Sequence, residues 1–351
     1  MSSAALNDGI LAVPVIDISS FRMPYADAAA RSEVVRQVDE AARTVGFMQI
    51  TGHGIAASTR IELTKATDAF FSLDAETKQK YRCPAGVNRG YTPPKAESLA
   101  NSLGLVSAAD LFEALNVGTS AADYPGLGLP GDVYAANVYP SAEIPGFEPA
   151  VTEWFRAAGA VARTMVRIFG VALGGREDYF ADATDHSIDV LRLNNYRRPD
   201  PGVRLEPDQL GMGAHTDYGI VTVLWADRVP GLEIHGADGA WHPVRPADGA
   251  LLVNLGDAIA RWTNEEWIST LHRVVAPRIN GALVPRRSAA YFHDGNADAL
   301  IECLPSCVSA ENPARYAPVT VGQHLAAKLA GSRGGQLNPY ATREIARLRS
   351  G

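Results

Sequence analysis

The stretch GMGAHTDYGIVTVL, residues 211–224, places His215 and Asp217 on either side of one threonine, just ahead of an apolar run from Ile220 to Leu224. Ionisable groups at the head of a core-bound strand are costly unless they are paired or hold a metal. Along a β-strand, residues i and i+2 share a face, so the spacing predicts that His215 and Asp217 project together while Thr216 turns away. His272, in STLHRVV, supplies a third candidate ligand from another predicted strand. Two histidines and a carboxylate on one face match the facial triad, which leaves three adjacent positions open and suits Fe(II) used for oxygen chemistry. Read alone, an H-x-D pair is more often a hydrogen-bonded strand end than a metal site.

Working outward, residues 187–295 alternate short β-branched runs with turn signals: DVLRLNNY, GIVTVLWA, GLEIHG, ALLVNLGD, TLHRVVAP and RRSAAYF. Strands at this spacing predict a β-sandwich or barrel. The N-terminal part reads differently. VPVIDIS predicts a strand, the next segment has helical periodicity up to Val45 and a stop at Gly46, and ASTRIELTKATDAFFSLDAETKQKYR predicts a second helix. Residues 121–149 are rich in Gly, Pro and Tyr and predict loops, followed by the strongest helical pattern in the chain, 147–173. The expected divisions are 12–125 (strand-helix-strand plus helices), 126–186 (loops and long helix), 187–295 (the β core) and 296–351 (a strand-turn-helix appendage).

Arg286 and Ser288, in VPRRSAAYF, share a face by alternation, and a guanidinium beside a hydroxyl can hold a carboxylate; Arg287 is expected to point the other way. The remaining histidines carry structural or solvated readings: His53 in a turn, His186 and His242 on the surface, His235 at a strand end and His324 at a helix start. Gly256-Asp257 suits a tight turn between strands, and Trp262 reads as core packing.

Composition narrows the partners. A formal net charge of -7 over 351 residues leaves no broad basic surface, so nucleic acid is excluded as an expected partner. Cys83, Cys303 and Cys307 are too few and too scattered for a disulfide framework, the first residues lack a secretory pattern, and no apolar run has membrane-span length. The expectation is a cytoplasmic protein with no membrane partner and an undetermined oligomeric state.

The motifs, in order VPVIDIS, ARTVGFMQITGHGI, AFFSLDAETKQKY, NRGYTP, DLFEALNVG, NVYP, LRLNNY, GAHTDYGIVTVL, GLEI, LLVNLGDAIARWTNEEWISTLHRVV and RRSAAYF, resemble those of the isopenicillin N synthase-like group of non-haem Fe(II), 2-oxoglutarate-dependent oxygenases along almost the full chain. The resemblance implies a mostly β fold with flanking helices, built on a double-stranded β-helix (jelly-roll, cupin-like) core. It makes His215, Asp217 and His272 the ligands of Fe(II), and Arg286 and Ser288 the clamp on the distal carboxylate of the cosubstrate 2-oxoglutarate. Asn194 and Tyr196 match the N-x-Y segment beside the cosubstrate. Asn195 stands where the family usually has an aromatic residue, and Arg197-Arg198 where it has Pro-Pro.

The implied reaction uses O2, releases succinate and CO2, and oxidises a C–H bond of a small-molecule metabolite, by hydroxylation, desaturation or cyclisation, in specialised biosynthesis. The expected substrate wall comprises Arg89, Tyr91, Phe112, Val223, Trp225 and the segment Phe292-His293-Asp294. Alternatives left open are a 2-oxoglutarate-independent iron oxidase like isopenicillin N synthase, an ethylene-forming type, and a metal-dependent ligand sensor without turnover.

Overall fold

The structure is a computed structural model and describes residues 6–7, 10–84, 86–104, 108–196 and 209–334. The Arg197-Arg198 pair lies outside the described residues.

Helix α1 (Ala28–Thr44) starts where the Asp27 carboxylate accepts the Ala29 N–H, and it buries Val34, Val38, Ala41 and Ala42. It stops at Gly46, whose φ of +67° and approach to the Ile268 carbonyl, 2.2 Å from where a Cβ would sit, admit no other residue without a shift. The second helical pattern is two helices, α2 (Ala57–Phe71) and α3 (Ala75–Gln79), because the Asp74 side chain caps a new start by accepting the Thr77 N–H. The long helix α4 (Phe147–Gly174) ends on Gly175 in the left-handed region. By length and composition alone α4 could cross a membrane, although its sequence holds no unbroken apolar run of that length. Its apolar side is spent in the core, with Phe147, Val151, Trp154, Met165 and Phe169 buried.

The strands are β1 (Val15–Asp17), β2 (Phe47–Thr51), β3 (Gly90–Thr92), β4 (Glu113–Gly118), β5 (Asp189–Tyr196), β6 (Met212–His215), β7 (Val221–Ala226), β8 (Leu232–His235), β9 (Trp241–Pro243), β10 (Leu251–Leu255), β11 (His272–Val274) and β12 (Arg286–His293). An eight-stranded sheet runs β1-β2-β10-β7-β12-β5-β4-β3 and a four-stranded sheet runs β9-β8-β11-β6. Pairing is antiparallel except between β1 and β2. The two sheets face each other across a cavity, giving the jelly-roll core, while α4 packs on the outer face of the large sheet against β7 and β12.

The stretch 211–224 does not form one strand. His215 closes β6 in the small sheet, Val221 opens β7 in the large one, and Asp217 lies in the crossing between them. Gly256-Asp257 is likewise not a hairpin turn: Asp257 begins the short helix α5 (Asp257–Trp262). The N–H groups of Asp257 and Ala258 donate to the carbonyls of Asp217 and Tyr218 at 2.8 and 3.1 Å, so the helix start fastens the crossing. Trp262 is core, as expected.

The C-terminal helix α6 (Val321–Gly334) closes one side of the cavity. Lys328, fully buried, pairs with Asp257 at 2.6 Å, and the same carboxylate oxygen accepts from Thr216 Oγ1 at 3.0 Å. Replacing Lys328 with Met is expected to cost about 3–5 kcal/mol in urea unfolding, because it leaves the Asp257 charge buried without its cation.

His324 is buried on the same helix, its Nε2 bonded to the Tyr218 carbonyl, and burial first, then Lys328 and Arg261, pulls its pKa from 6.5 to about 3. Above pH 6.5 neither folded nor unfolded chain protonates it. As pH falls below that value, the unfolded chain takes a proton that the folded chain refuses, so stability drops by about 1.4 kcal/mol per pH unit from this group. His324→Asn is expected to flatten the fall in melting temperature between pH 6.5 and 5; an unchanged slope would reject the assignment.

Candidate metal centre and its cavity

His215 on β6 and His272 on β11 are cross-strand partners, with ring centroids 4.3 Å apart. Their Nδ1 atoms bond the carbonyls of Gly213 and Thr270 at 2.7 and 3.0 Å. That fixes each ring as an Nδ1–H tautomer whose Nε2 lone pair is free to bind a metal. Burial and the neighbouring His272 push the His215 pKa down to about 3, which keeps its imidazole neutral. Asp217 is held by Thr222 Oγ1 and Asn254 Nδ2, which donate to Oδ2 at 2.5 and 2.6 Å. Its Oδ1 therefore faces the two Nε2 atoms, at 3.9 Å from His215 and 3.7 Å from His272. Two neutral nitrogens and one anionic oxygen, buried and with their ligand atoms all within 4.8 Å of one another, fit a single divalent ion.

These groups line a cavity of about 560 Å³ between the sheets. Alternation decides what reaches it. On β12 these are Arg286, Ser288, Ala290 and Phe292, on β5 Val190, Arg192, Asn194 and Tyr196, and on β7 Thr222 and Leu224. The register sets Arg286 opposite Tyr196 and Ser288 opposite Asn194. Arg286 is 2% exposed, lies 5.1 Å from the centre of the Tyr196 ring, and its Nε donates to the Val229 carbonyl at 3.3 Å. No carboxylate pairs with it among the described residues. Ser288 Oγ accepts from Asn194 Nδ2 at 3.3 Å. Arg287 points the other way, to Asp68 at 2.9 Å, as alternation requires.

The expected substrate wall is corrected at four positions by side-chain direction and at a fifth by stacking. Trp225 and His293 sit on the opposite faces of β7 and β12: Trp225 packs on Trp154 with ring centroids 6.3 Å apart, and His293 Nδ1 bonds Asp189 at 2.7 Å. Val223 shares the outward parity of Trp225 and is core. Tyr91 is turned into the core, its hydroxyl donating to Glu113 at 2.6 Å and its ring against Phe70. Phe112 lies beneath Arg192, whose guanidinium stacks 4.7 Å from its ring centre, so it supports the wall without lining it. Arg89, Phe292 and Asp294 do line the cavity. Burial, with Asp189 and Asp217 nearby, raises the Asp294 pKa well above the usual carboxylate range. Two surface assignments also change: His242 is buried with Nε2 3.0 Å from Asp238, and His186 is mostly covered between Asp185 and Asp298.

Several lining groups had no part in the sequence reading: Asn116 on β4, Arg192 on β5, Asn88, Glu97 and, from α6, Arg333. Arg192 was findable, being two residues before Asn194 on the same strand. Glu97 accepts from Arg192 at 2.7 Å and Arg333 at 2.9 Å, bonds that span 95 and 236 residues of sequence and leave no local signal.

The chain is similar to known proteins over most of its length. Residues 13–142 match the family described as non-haem dioxygenase in morphine synthesis N-terminal, and residues 188–295 match the 2OG-Fe(II) oxygenase superfamily. The chain is 32% identical over 318 residues to a 2-oxoglutarate-Fe(II) type oxidoreductase of Emericella nidulans, covering 88% of this chain and 87% of the relative. It is 28% identical over 321 residues to validamycin A dioxygenase of Streptomyces hygroscopicus subsp. limoneus, covering 90% and 85%. A full-length Neurospora crassa protein crystallised in complex with alpha-KG and thymine superposes with a TM-score of 0.80 at 28% identity, covering 94% of this chain and 99% of that one.

Proposed function

We propose, for a chain that belongs to the 2OG-Fe(II) oxygenase superfamily and is a 2-oxoglutarate-dependent oxygenase of small molecules, that His215, Asp217 and His272 hold the Fe(II) and that Arg286 and Ser288 hold the distal carboxylate of 2-oxoglutarate. The observation that carries the metal assignment is the convergence of the two Nε2 atoms and Asp217 Oδ1, each oriented by a hydrogen bond on its other atom. When bound, Fe(II) with 2-oxoglutarate and O2 supplies oxidation of a substrate C–H bond, with succinate and CO2 as coproducts.

The protein's own groups do the positioning. Arg286, buried and lacking a carboxylate partner among the described residues, offers its charge to the cosubstrate, and Tyr196 stacks on it. Asn194 orients the Ser288 hydroxyl. Phe47, Leu224, Leu232 and Val274 surround this end of the cavity with apolar surface and keep water from the clamp. Relatives named as 2-oxoglutarate-Fe(II) type oxidoreductases and crystallised with alpha-KG favour 2-oxoglutarate use over the 2-oxoglutarate-independent oxidase, which would carry the same R-x-S pair, and no observation favours the ethylene-forming or sensor readings.

We further read the protein as a cytoplasmic enzyme of specialised metabolism with a small organic substrate and no nucleic-acid or membrane partner. The net charge of -7, and relatives named for validamycin A and crystallised with thymine, support that reading. The test is O2 uptake by the Fe(II)-loaded protein: it is expected to require 2-oxoglutarate and to yield succinate in equal amount, and O2 uptake without 2-oxoglutarate would reject the assignment.

A further inference from the structure

The cavity holds a second buried guanidinium with no carboxylate partner among the described residues. Arg89 is 4% exposed; its Nη1 and Nη2 donate to the main-chain carbonyls of Asn88 and Thr119 at 2.8 and 2.5 Å, and its Nε has no partner among those residues. Burial lowers its pKa only to about 10, so it stays charged at neutral pH. An uncompensated buried cation is expensive, and a ligand anion is the usual remedy. Gly118 on β4 makes the room: a Cβ there would fall 2.5 Å from Arg89 Cζ.

Two residues along the same face of β4 stands Asn116, and its amide orientation is fixed. Asn88 Oδ1 accepts from Arg333 Nη2 at 2.7 Å, so it must be an oxygen, and Asn116 therefore turns its Nδ2 to that atom, also at 2.7 Å. Asn116 Oδ1 is left buried with no donor among the described residues. Asn116 and Arg89 both line the cavity.

The charges around them do not cancel. Arg192 and Arg333 share the single carboxylate of Glu97. Asp110, buried beside Glu97, also faces Arg192, and burial raises the Asp294 carboxyl well above the usual range, so at neutral pH Arg89, Arg192 and Arg333 face two ionised buried carboxyls, Glu97 and Asp110, while Asp123 and Asp132 are exposed. Arg286 does not enter this count, because the cosubstrate carboxylate is assigned to it.

We infer that the substrate is a small organic acid, its carboxylate held by Arg89 and a hydroxyl or amine donating to Asn116 Oδ1. This rests on reading the cavity as the active site of a 2-oxoglutarate-dependent oxygenase. A doubly hydrogen-bonded guanidinium–carboxylate pair selects for acids, since an ester or amide of the same shape leaves the cation unpaired.

The test uses the full chain loaded with Fe(II) and saturating 2-oxoglutarate under anaerobic conditions, where nothing turns over and the Arg286 end is filled. Benzoate, phenylacetate, hexanoate and a set of hydroxy and amino acids are titrated beside their methyl esters, with melting temperature as the readout. At least one acid is expected to bind at least tenfold more tightly than its ester. Arg89→Gln is expected to weaken that acid tenfold or more, and Arg89→Lys to weaken it less than Arg89→Gln, because it keeps the charge and loses the paired hydrogen bonds. If Arg89→Gln fails to fold, Asn116→Asp serves, and is expected to weaken the acid tenfold by placing a like charge beside it. Esters that bind as well as acids, no acid that binds, or a folded variant with unchanged affinity would overturn the inference. A wild-type protein whose melting temperature does not respond to 2-oxoglutarate would instead reject the oxygenase assignment beneath it.

Discussion

Asp217→Ala is expected to reduce 2-oxoglutarate-dependent succinate formation to background and to remove stoichiometric binding of Co(II) or Fe(II). Asp217 is the only anionic group of the three, and its Oδ1 is the atom that faces both Nε2 atoms, at 3.7 and 3.9 Å. Without it, two neutral imidazoles remain, and no other carboxylate forms a metal-competent group with them among the described residues. Loss of an outer partner of a metal ligand costs about 10–100-fold in affinity. Removing the ligand itself should exceed that, whereas Thr222→Val, which takes away one donor to Oδ2, should fall within it. A titration of the metal's absorbance measures both. Metal binding and activity in Asp217→Ala at wild-type levels would remove the basis for the centre.

Arg286→Met should act on the cosubstrate and leave the metal alone. The KM for 2-oxoglutarate is expected to rise roughly 100-fold, equivalent to about 3 kcal/mol, for loss of charge-assisted hydrogen bonds to a carboxylate in a dry site. The free protein should not be weakened to match. Arg286 is 2% exposed, with no carboxylate at ion-pair distance among the described residues and Asp227 acting on it only from farther away, so a similarly shaped apolar side chain removes a buried cation. The diagnostic pattern is a melting temperature that holds or rises without ligand, together with loss of the shift that 2-oxoglutarate produces. An unchanged KM would place the distal carboxylate elsewhere.

Regular alternation in DVLRLNNY and RRSAAYF is a local property of pleated backbone, so β5 and β12 begin where the sequence predicts, and the face shared by Arg286 and Ser288 follows at once. The same rule, carried two and four residues further along β12, selects Ala290 and Phe292 and rejects His293. His293 was attractive because it is polar, but parity rather than polarity decides which sheet face a side chain meets.

Asp217 was expected on a strand with His215 because period two also fits an H-x-D segment that is extended without a ladder partner. Asp74 divided one helical pattern in two because a side-chain cap competed with a continuing turn. For Tyr91 and Trp225, an aromatic side chain fits a core and a pocket equally well, and sequence carries no term for what lies opposite.

By itself, then, the sequence determined the β core with its outer helices, the three candidate ligands and the face shared by Arg286 and Ser288, because each follows from short-range periodicity or from residue types that are costly to bury without a use. Only the tertiary structure decided that GMGAHTDYGIVTVL bridges two sheets, that Asp217 turns a single oxygen toward two histidines, and that Arg89, Asn116, Arg192, Glu97 and Arg333 meet at one end of the cavity. Those outcomes depend on contacts between segments far apart in the chain, and the energy of a buried charge is set by what packs against it, whatever stands next to it in sequence.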